Sequence, residues 1–150
     1  MLRIVHGDFS MVFTGDAEGE TELSAMANFP APGALRTTLV TGSHHGAWTK
    51  DSNDYPWAVA TRPRMLVFSA GHNFSHPRCE ALNAFEPYTV WALPHVIRCG
   101  ASGQYQEAFK SQRAEYVTKT NGTVVVTTNG QSAADVYCSG EWPCTGRVFY

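Results

Sequence analysis

Phe13-Thr14-Gly15-Asp16-Ala17 ends a short apolar run in a turn that carries an acid, and the fold is decided by what repeats this pattern downstream. About twenty-five residues on, a second apolar run ends in Gly42-Ser43-His44-His45-Gly46. A third runs from Phe68 through Ser69-Ala70-Gly71-His72-Asn73-Phe74-Ser75 to His76-Pro77. Three strand ends thus empty into turns bearing an acid and several imidazoles. In an α/β layer, ligand sites form where strands run out into loops at one edge of the sheet. Asp16, His44 and His76 are therefore expected to converge there.

Working outward, Leu2-Arg3-Ile4-Val5 and Phe9-Ser10-Met11-Val12-Phe13 flank His6-Gly7-Asp8 and read as a hairpin, with His6 a turn residue. Gly19 to Ala27 has acids first and helix formers after, and Pro30 and Pro32 end it. Glu18, Glu20 and Glu22 are read as surface acids complementing the helix dipole. Leu35 to Thr41 reads as a buried strand, residues 47 to 58 as a loop with one short helix, and Met65 to Phe68 as a central strand. Pro77 suits the first turn of a helix running to about Phe85. Val90 to Leu93 is one more short strand. Tyr116–Lys119 and Thr123–Thr127 flank Asn121-Gly122, a hairpin signal that outweighs the glycosylation pattern Asn121-Gly122-Thr123. After Gly130 periodicity is lost, and residues 131–150 read as a tail.

With 150 residues, 43% of them hydrophobic, the chain can bury one core and is too short for two. The formal charge of −2 sets up no global basic field, so a nucleic-acid contact would depend on local placement of Lys50, Arg62, Arg64 and Arg78. Met1 to Val5 is too short for the apolar core of a signal peptide, and no apolar run approaches the roughly 18 residues of a membrane span. Neither is expected in this chain. Four cysteines leave two readings open. Cys138–Cys144 and Cys79–Cys99 could bridge in an oxidising compartment, which leans towards an exported or periplasmic protein, or all four could be free thiols.

The three strand ends, in this order, resemble the C-terminal half of the metallo-β-lactamase fold, and most closely the competence-type hydrolase domain of the ComEC/Rec2 family. The resemblance covers roughly residues 1 to 128. Phe13-Thr14-Gly15-Asp16 matches that family's Thr-Gly-Asp, and His44-His45-Gly46-Ala47 matches its His-His-Gly-Ser with alanine for serine. Ser69, Gly71, Asn73 and His76-Pro77 match its next loop, one residue shorter here and with Ser75 where glycine is usual. Thr120-Asn121-Gly122-Thr123 stands for its final hairpin. The resemblance implies an α/β fold, half of an αββα sandwich, with a mixed sheet of five to seven strands and two or three helices mainly on one face. The half-domain would span residues 1–130, with an insertion at about 94–113. The sheet's second face would be left exposed or covered by the insertion and tail.

It also implies a metal-dependent hydrolase acting on DNA or another phosphodiester, with Zn²⁺ or Mn²⁺ as cofactor. Asp16, His44 and His76 would be metal ligands. His45 would contact substrate or support a ligand, and His76 could instead donate a proton to the leaving oxygen, so His45 and His76 are the catalytic candidates. His72 reads as a surface residue and His95, inside the insertion, as structural. The family's principal metal motif, His-x-His-x-Asp-His, is absent: no His-x-His occurs in the chain. What remains is half of a site, a truncated domain that needs an N-terminal half or a second chain. The competing reading is a non-catalytic fragment or degenerate half-domain that pairs with another chain.

Overall fold

The computed structural model of the chain describes residues 1–71, 74–101, 104–105 and 108–150. The elements run β1 (Leu2–His6), β2 (Phe9–Phe13), α1 (Gly19–Asn28), β3 (Leu39–Thr41), a 3₁₀ turn (Ser43–Gly46), α2 (Tyr55–Thr61), β4 (Met65–Phe68) and α3 (Cys79–Phe85). They continue through β5 (Trp91–Ile97), β6 (Gly100–Ala101), β7 (Gln104–Tyr105), β8 (Phe109–Arg113), β9 (Glu115–Val117), α4 (Thr118–Asn121), β10 (Val124–Thr128), β11 (Ala133–Cys138) and β12 (Gly146–Phe149).

The main sheet has the order β1-β2-β3-β4-β9. The first pair is the antiparallel hairpin read from the sequence, and the remaining pairs are parallel, so the fold is α/β with a mixed sheet. Its central strands are apolar without alternation because both faces are buried. Val12, Val40, Leu66 and Val117 point to one face, where they meet Trp57 and Ala58 of α2 and Ala81, Leu82 and Phe85 of α3, with Ala25 and Met26 of α1 alongside. Leu39, Met65 and Tyr116, their sequence neighbours, point to the other. Three helices therefore lie on one face, as expected.

The second face is covered. Ala134, Val136, Cys138 and Val148 pack there against Leu39, Met65 and Tyr116, delivered by an antiparallel sheet of order β10-β11-β12. Residues 131–150, expected as a tail, thus carry two strands of this cover. Their strands alternate buried and exposed positions over short spans, and intervening polar residues hide the period.

Asn121-Gly122 is not a hairpin. β9 pairs with β4 in the main sheet and β10 pairs with β11 in the cover, so the chain changes sheets between them. The fully buried Asn121 side chain accepts from Val117 N–H at 2.9 Å and donates to the carbonyls of Val96 at 2.9 Å and Trp142 at 3.1 Å. Two long-range demands and one local one on a single amide outweigh the turn preference. Three further expectations shift. The strand expected over Leu35–Thr41 holds only for Leu39–Thr41, Pro77 precedes α3 rather than starting it, and the strand expected at Val90–Leu93 reaches Ile97, pairing antiparallel with β8. The segment at 94–113 therefore extends an existing strand and returns along it.

Both cysteine pairs close as disulfides, Cys79–Cys99 and Cys138–Cys144, which is compatible with an extracellular location. Among the described residues, no helix is long and apolar enough to cross a membrane.

Candidate functional site

Because β2, β3 and β4 run parallel, their C-terminal ends share one sheet edge, and so do the three turns they feed. Side-chain bonds lash the exits together. Thr14 N–H donates to Thr41 Oγ1 at 3.0 Å, and Thr14 Oγ1 donates to Thr41 O at 2.7 Å. His44 N–H donates to Gly15 O at 2.8 Å, which fastens the histidine turn to the Thr-Gly-Asp turn. From the far side, Thr118 Oγ1 donates to Ala70 O at 3.0 Å.

The paired histidines sit in a strained backbone. His44 has φ 45° and His45 φ 61°, both left-handed, a region that costs a residue with a Cβ of the order of 1–2 kcal/mol. Neighbouring residues on a regular strand would face opposite ways, and the left-handed pair removes that restriction. Asn53 holds the turn in this shape. Its Oδ1 accepts from Ser43 N–H at 2.8 Å, and its Nδ2 donates to Ser43 O at 2.8 Å and Ala47 O at 2.7 Å.

Behind Asn53 stands Glu22, whose carboxylate oxygens accept from Asn53 N–H, each at 3.1 Å. Glu22 is only 1% exposed, which corrects its reading as a surface acid. Burial pushes its carboxyl above the ordinary value, opposed by the Ser43 hydroxyl and the Asn53 N–H. Its position three and four residues before Ala25 and Met26, on the packed face of α1, is the sequence signal for this burial. Asn53 had no comparable signal. Glu18 does lie at the surface, paired with Lys50 Nζ at 2.7 Å.

The candidate side chains meet in two pairs. His45 Nε2 lies 3.3 Å from Asp16 Oδ1, while His45 Nδ1 lies 2.7 Å from Ser69 O, which can only accept. His44 and His76 stand with ring centroids 6.2 Å apart, edge to face, and His44 is equally far from His45. The His44 Nδ1 is buried with no hydrogen-bond partner, with Glu18 Oε1 4.0 Å away. Burial lowers the His76 pKa below the ordinary imidazole value, and His44, His45 and Arg78 lower it further by charge repulsion. Asn73 and His72 lie outside the described residues.

A catalytic zinc asks for three protein ligands and an open position. Among the described residues, no group of three or more His, Cys, Asp and Glu side chains is close enough to hold a metal ion. The Asp16–His45 pair is spent on itself, and one orphaned His44 nitrogen beside His76 is not a coordination shell. By themselves these residues do not fit a metal centre. His95 stands apart, 4% exposed, with Nε2 2.7 Å from Glu115 O, Nδ1 2.9 Å from Leu93 O and its ring stacked on Tyr116. It is a core residue, as expected.

Compared with known proteins, the chain is similar to ComE operon protein 3 of Bacillus subtilis (strain 168), at 26% identity over 114 residues. That alignment takes in 75% of this chain and 14% of the relative, so the chain spans about a seventh of the length of the protein it matches. No family model matches. No solved structure matches.

Proposed function

We propose that the edge bearing Asp16, His44, His45 and His76 is one wall of a competence-type phosphodiester hydrolase site, completed by a segment that this chain does not contain. The observation that carries the reading is the delivery of these four side chains to one edge by three adjacent parallel strand exits, with Asp16 on His45 and His44 on His76. Similarity to a competence-operon protein about five times longer and the resemblance of the three motifs to the ComEC/Rec2 hydrolase domain support it. In this reading His45 is the residue positioned to hold or pass a proton at Nε2, with Asp16 stabilising the imidazolium. His76, biased towards its neutral form, faces the same space. A Zn²⁺ or Mn²⁺ ion belongs to the completed site, its remaining ligands coming from the missing segment.

The second reading, a half-domain that pairs with another chain, has its own observation. Strand β1 is a sheet edge, and Leu2, Ile4 and Val5 on it are 60%, 49% and 62% exposed. An edge strand with bare apolar side chains invites a further strand. The first reading requires such a partner, whereas the second requires nothing more.

The deciding experiment joins the chain to an N-terminal half carrying His-x-His-x-Asp-His and measures cleavage of a generic phosphodiester with Mn²⁺, against the chain alone, each with and without Asp16→Ala. Turnover only in the joined protein, abolished by Asp16→Ala, is the expected result. Turnover by the isolated chain that survives Asp16→Ala overturns the assignment. A joined protein that folds and does not cleave leaves the pairing reading standing.

A further inference from the structure

The opposite end of the same strands carries a different chemistry. A cleft of about 680 Å³ opens there, and three arginines from three segments line it: Arg36 ahead of β3, Arg62 at the C-terminus of α2, and Arg64 at the entry to β4. Backbone bonds hold these segments in place, from Thr37 N–H to Thr61 O at 3.0 Å and from Arg64 N–H to Thr38 O at 2.9 Å. Arg3 adds a brace, donating to Ala34 O and Arg36 O, each at 3.1 Å.

One of the guanidinium groups is set in advance. Arg62 Nε donates to Val59 O at 3.2 Å, and its Cζ stands 5.9 Å above the Tyr88 ring. Among the described residues, Asp8 is the one acidic side chain in the lining, and no Asp or Glu lies within ion-pair distance of Arg36, Arg62 or Arg64. Three guanidinium groups gathered around one cleft repel one another, a cost that an arriving anion removes. Arginine forks suit phosphate oxygens, and Tyr88 and Tyr150 give the lining aromatic surface. The cleft volume lies in the range that takes a drug-sized or nucleotide-sized ligand rather than a bare ion.

We propose that this cleft is a second ligand site, independent of the histidine edge, that binds a nucleoside monophosphate by its phosphate through Arg36, Arg62 and Arg64. Thr37 and Thr38 enter β3 on the cleft side and Ser43 to His45 leave it on the other. The two sites are thus separated by at least a strand of three residues, roughly 10 Å at about 3.3 Å per residue.

The test titrates the intact chain with AMP, adenosine and inorganic phosphate at low ionic strength, reading affinity by calorimetry and location by amide chemical shifts. AMP is expected to bind with shifts confined to residues around Thr37, Thr38 and Arg64, phosphate to compete more weakly, and adenosine not to bind. The double variant Arg36→Gln/Arg64→Gln should weaken AMP at least tenfold. Asp8→Asn, which removes the opposing charge, should tighten it severalfold. His45→Ala should leave it unchanged, which separates this site from the proposed hydrolase wall. Absence of AMP binding overturns the proposal, as does binding that survives the double variant with no gain from Asp8→Asn. Equal affinity for phosphate and AMP overturns the nucleotide assignment, and shifts centred on His44 and His45 overturn the location.

Discussion

At the scale of single residues, the histidine turn depends on a side chain that does not belong to it. Asn53 satisfies Ser43 at both its N–H and its carbonyl and also reaches Ala47 O, at a position that is itself left-handed with φ 59°. Asn53→Ala removes all three bonds from a buried location, and a loss of about 2–4 kcal/mol is expected in urea unfolding, at about 1 kcal/mol per bond plus the stranded groups. In the same variant the His44 and His45 ring signals should collapse towards ordinary loop values. Titration of His76 gives a second check. Its pKa is depressed in the folded chain, so the stability it contributes is present above the ordinary imidazole value and lost as pH falls through the folded one. NMR titration of the ring should place its midpoint below those of peptide histidines, and His44→Gln should move it back up. Glu115 runs the other way. Burial raises its carboxyl from 4.5 to about 7, with Thr89 Oγ1 donating at 2.9 Å to oppose this. Its contribution is fully present below the unfolded value and lost as pH rises through about 7, so Glu115→Gln should flatten stability between pH 4.5 and 7. The variant should be the more stable protein at pH 8, by at most about 3.5 kcal/mol at about 1.4 kcal/mol per pH unit.

At the scale of elements, α3 and β6 are tied at their starts by Cys79–Cys99, closing a loop of sequence separation 20. Replacing both cysteines by serine should cost about 3 kcal/mol by loop entropy, read as a lower melting temperature. The change of sheets at Gly122 is a sharper constraint. Its φ of 71° with ψ −142° is open to glycine alone, and a Cβ there would stand 2.6 Å from Gly140 N. Gly122→Ala should therefore destabilise the fold by more than the roughly 1–2 kcal/mol that a left-handed backbone alone costs a residue with a Cβ, measured by chemical denaturation. The dipeptide Asn121-Gly122 was legible as a turn, but its partners Val96 and Trp142 are 25 and 21 residues away, and no local rule reaches them.

At the scale of the whole molecule, strands β2, β3, β4 and β9 of the main sheet are buried between helices on one side and β10–β12 on the other. Deleting residues 131–150 strips β11 and β12 from Leu39, Met65 and Tyr116. The shortened chain is expected to bind a hydrophobic dye and lose cooperative unfolding, whereas a true tail would be dispensable. Strand β1 carries one stretch of exposed apolar surface, Leu2, Ile4 and Val5. Ile4→Lys should leave the melting temperature within about 1 kcal/mol-equivalent of the parent, as surface changes do, and should weaken any association with an added N-terminal half in sedimentation.

The local order of this protein was written in its residues: the first hairpin, α1, the short helix before Arg62, the β4 strand and the acid and histidine turns all follow from apolar period, capping and breakers acting over a few positions. Those turns reach a common edge because their strands are parallel, which the motif order already implied. Tertiary structure alone decided that Asn53 is the partner of the buried Glu22, that Asn121 joins three segments, that residues 131–150 form a covering sheet and that Arg36, Arg62 and Arg64 share a cleft. Each of these joins groups brought together from separate segments, with an energy from desolvation and hydrogen bonding that exists only once the chain has closed around them.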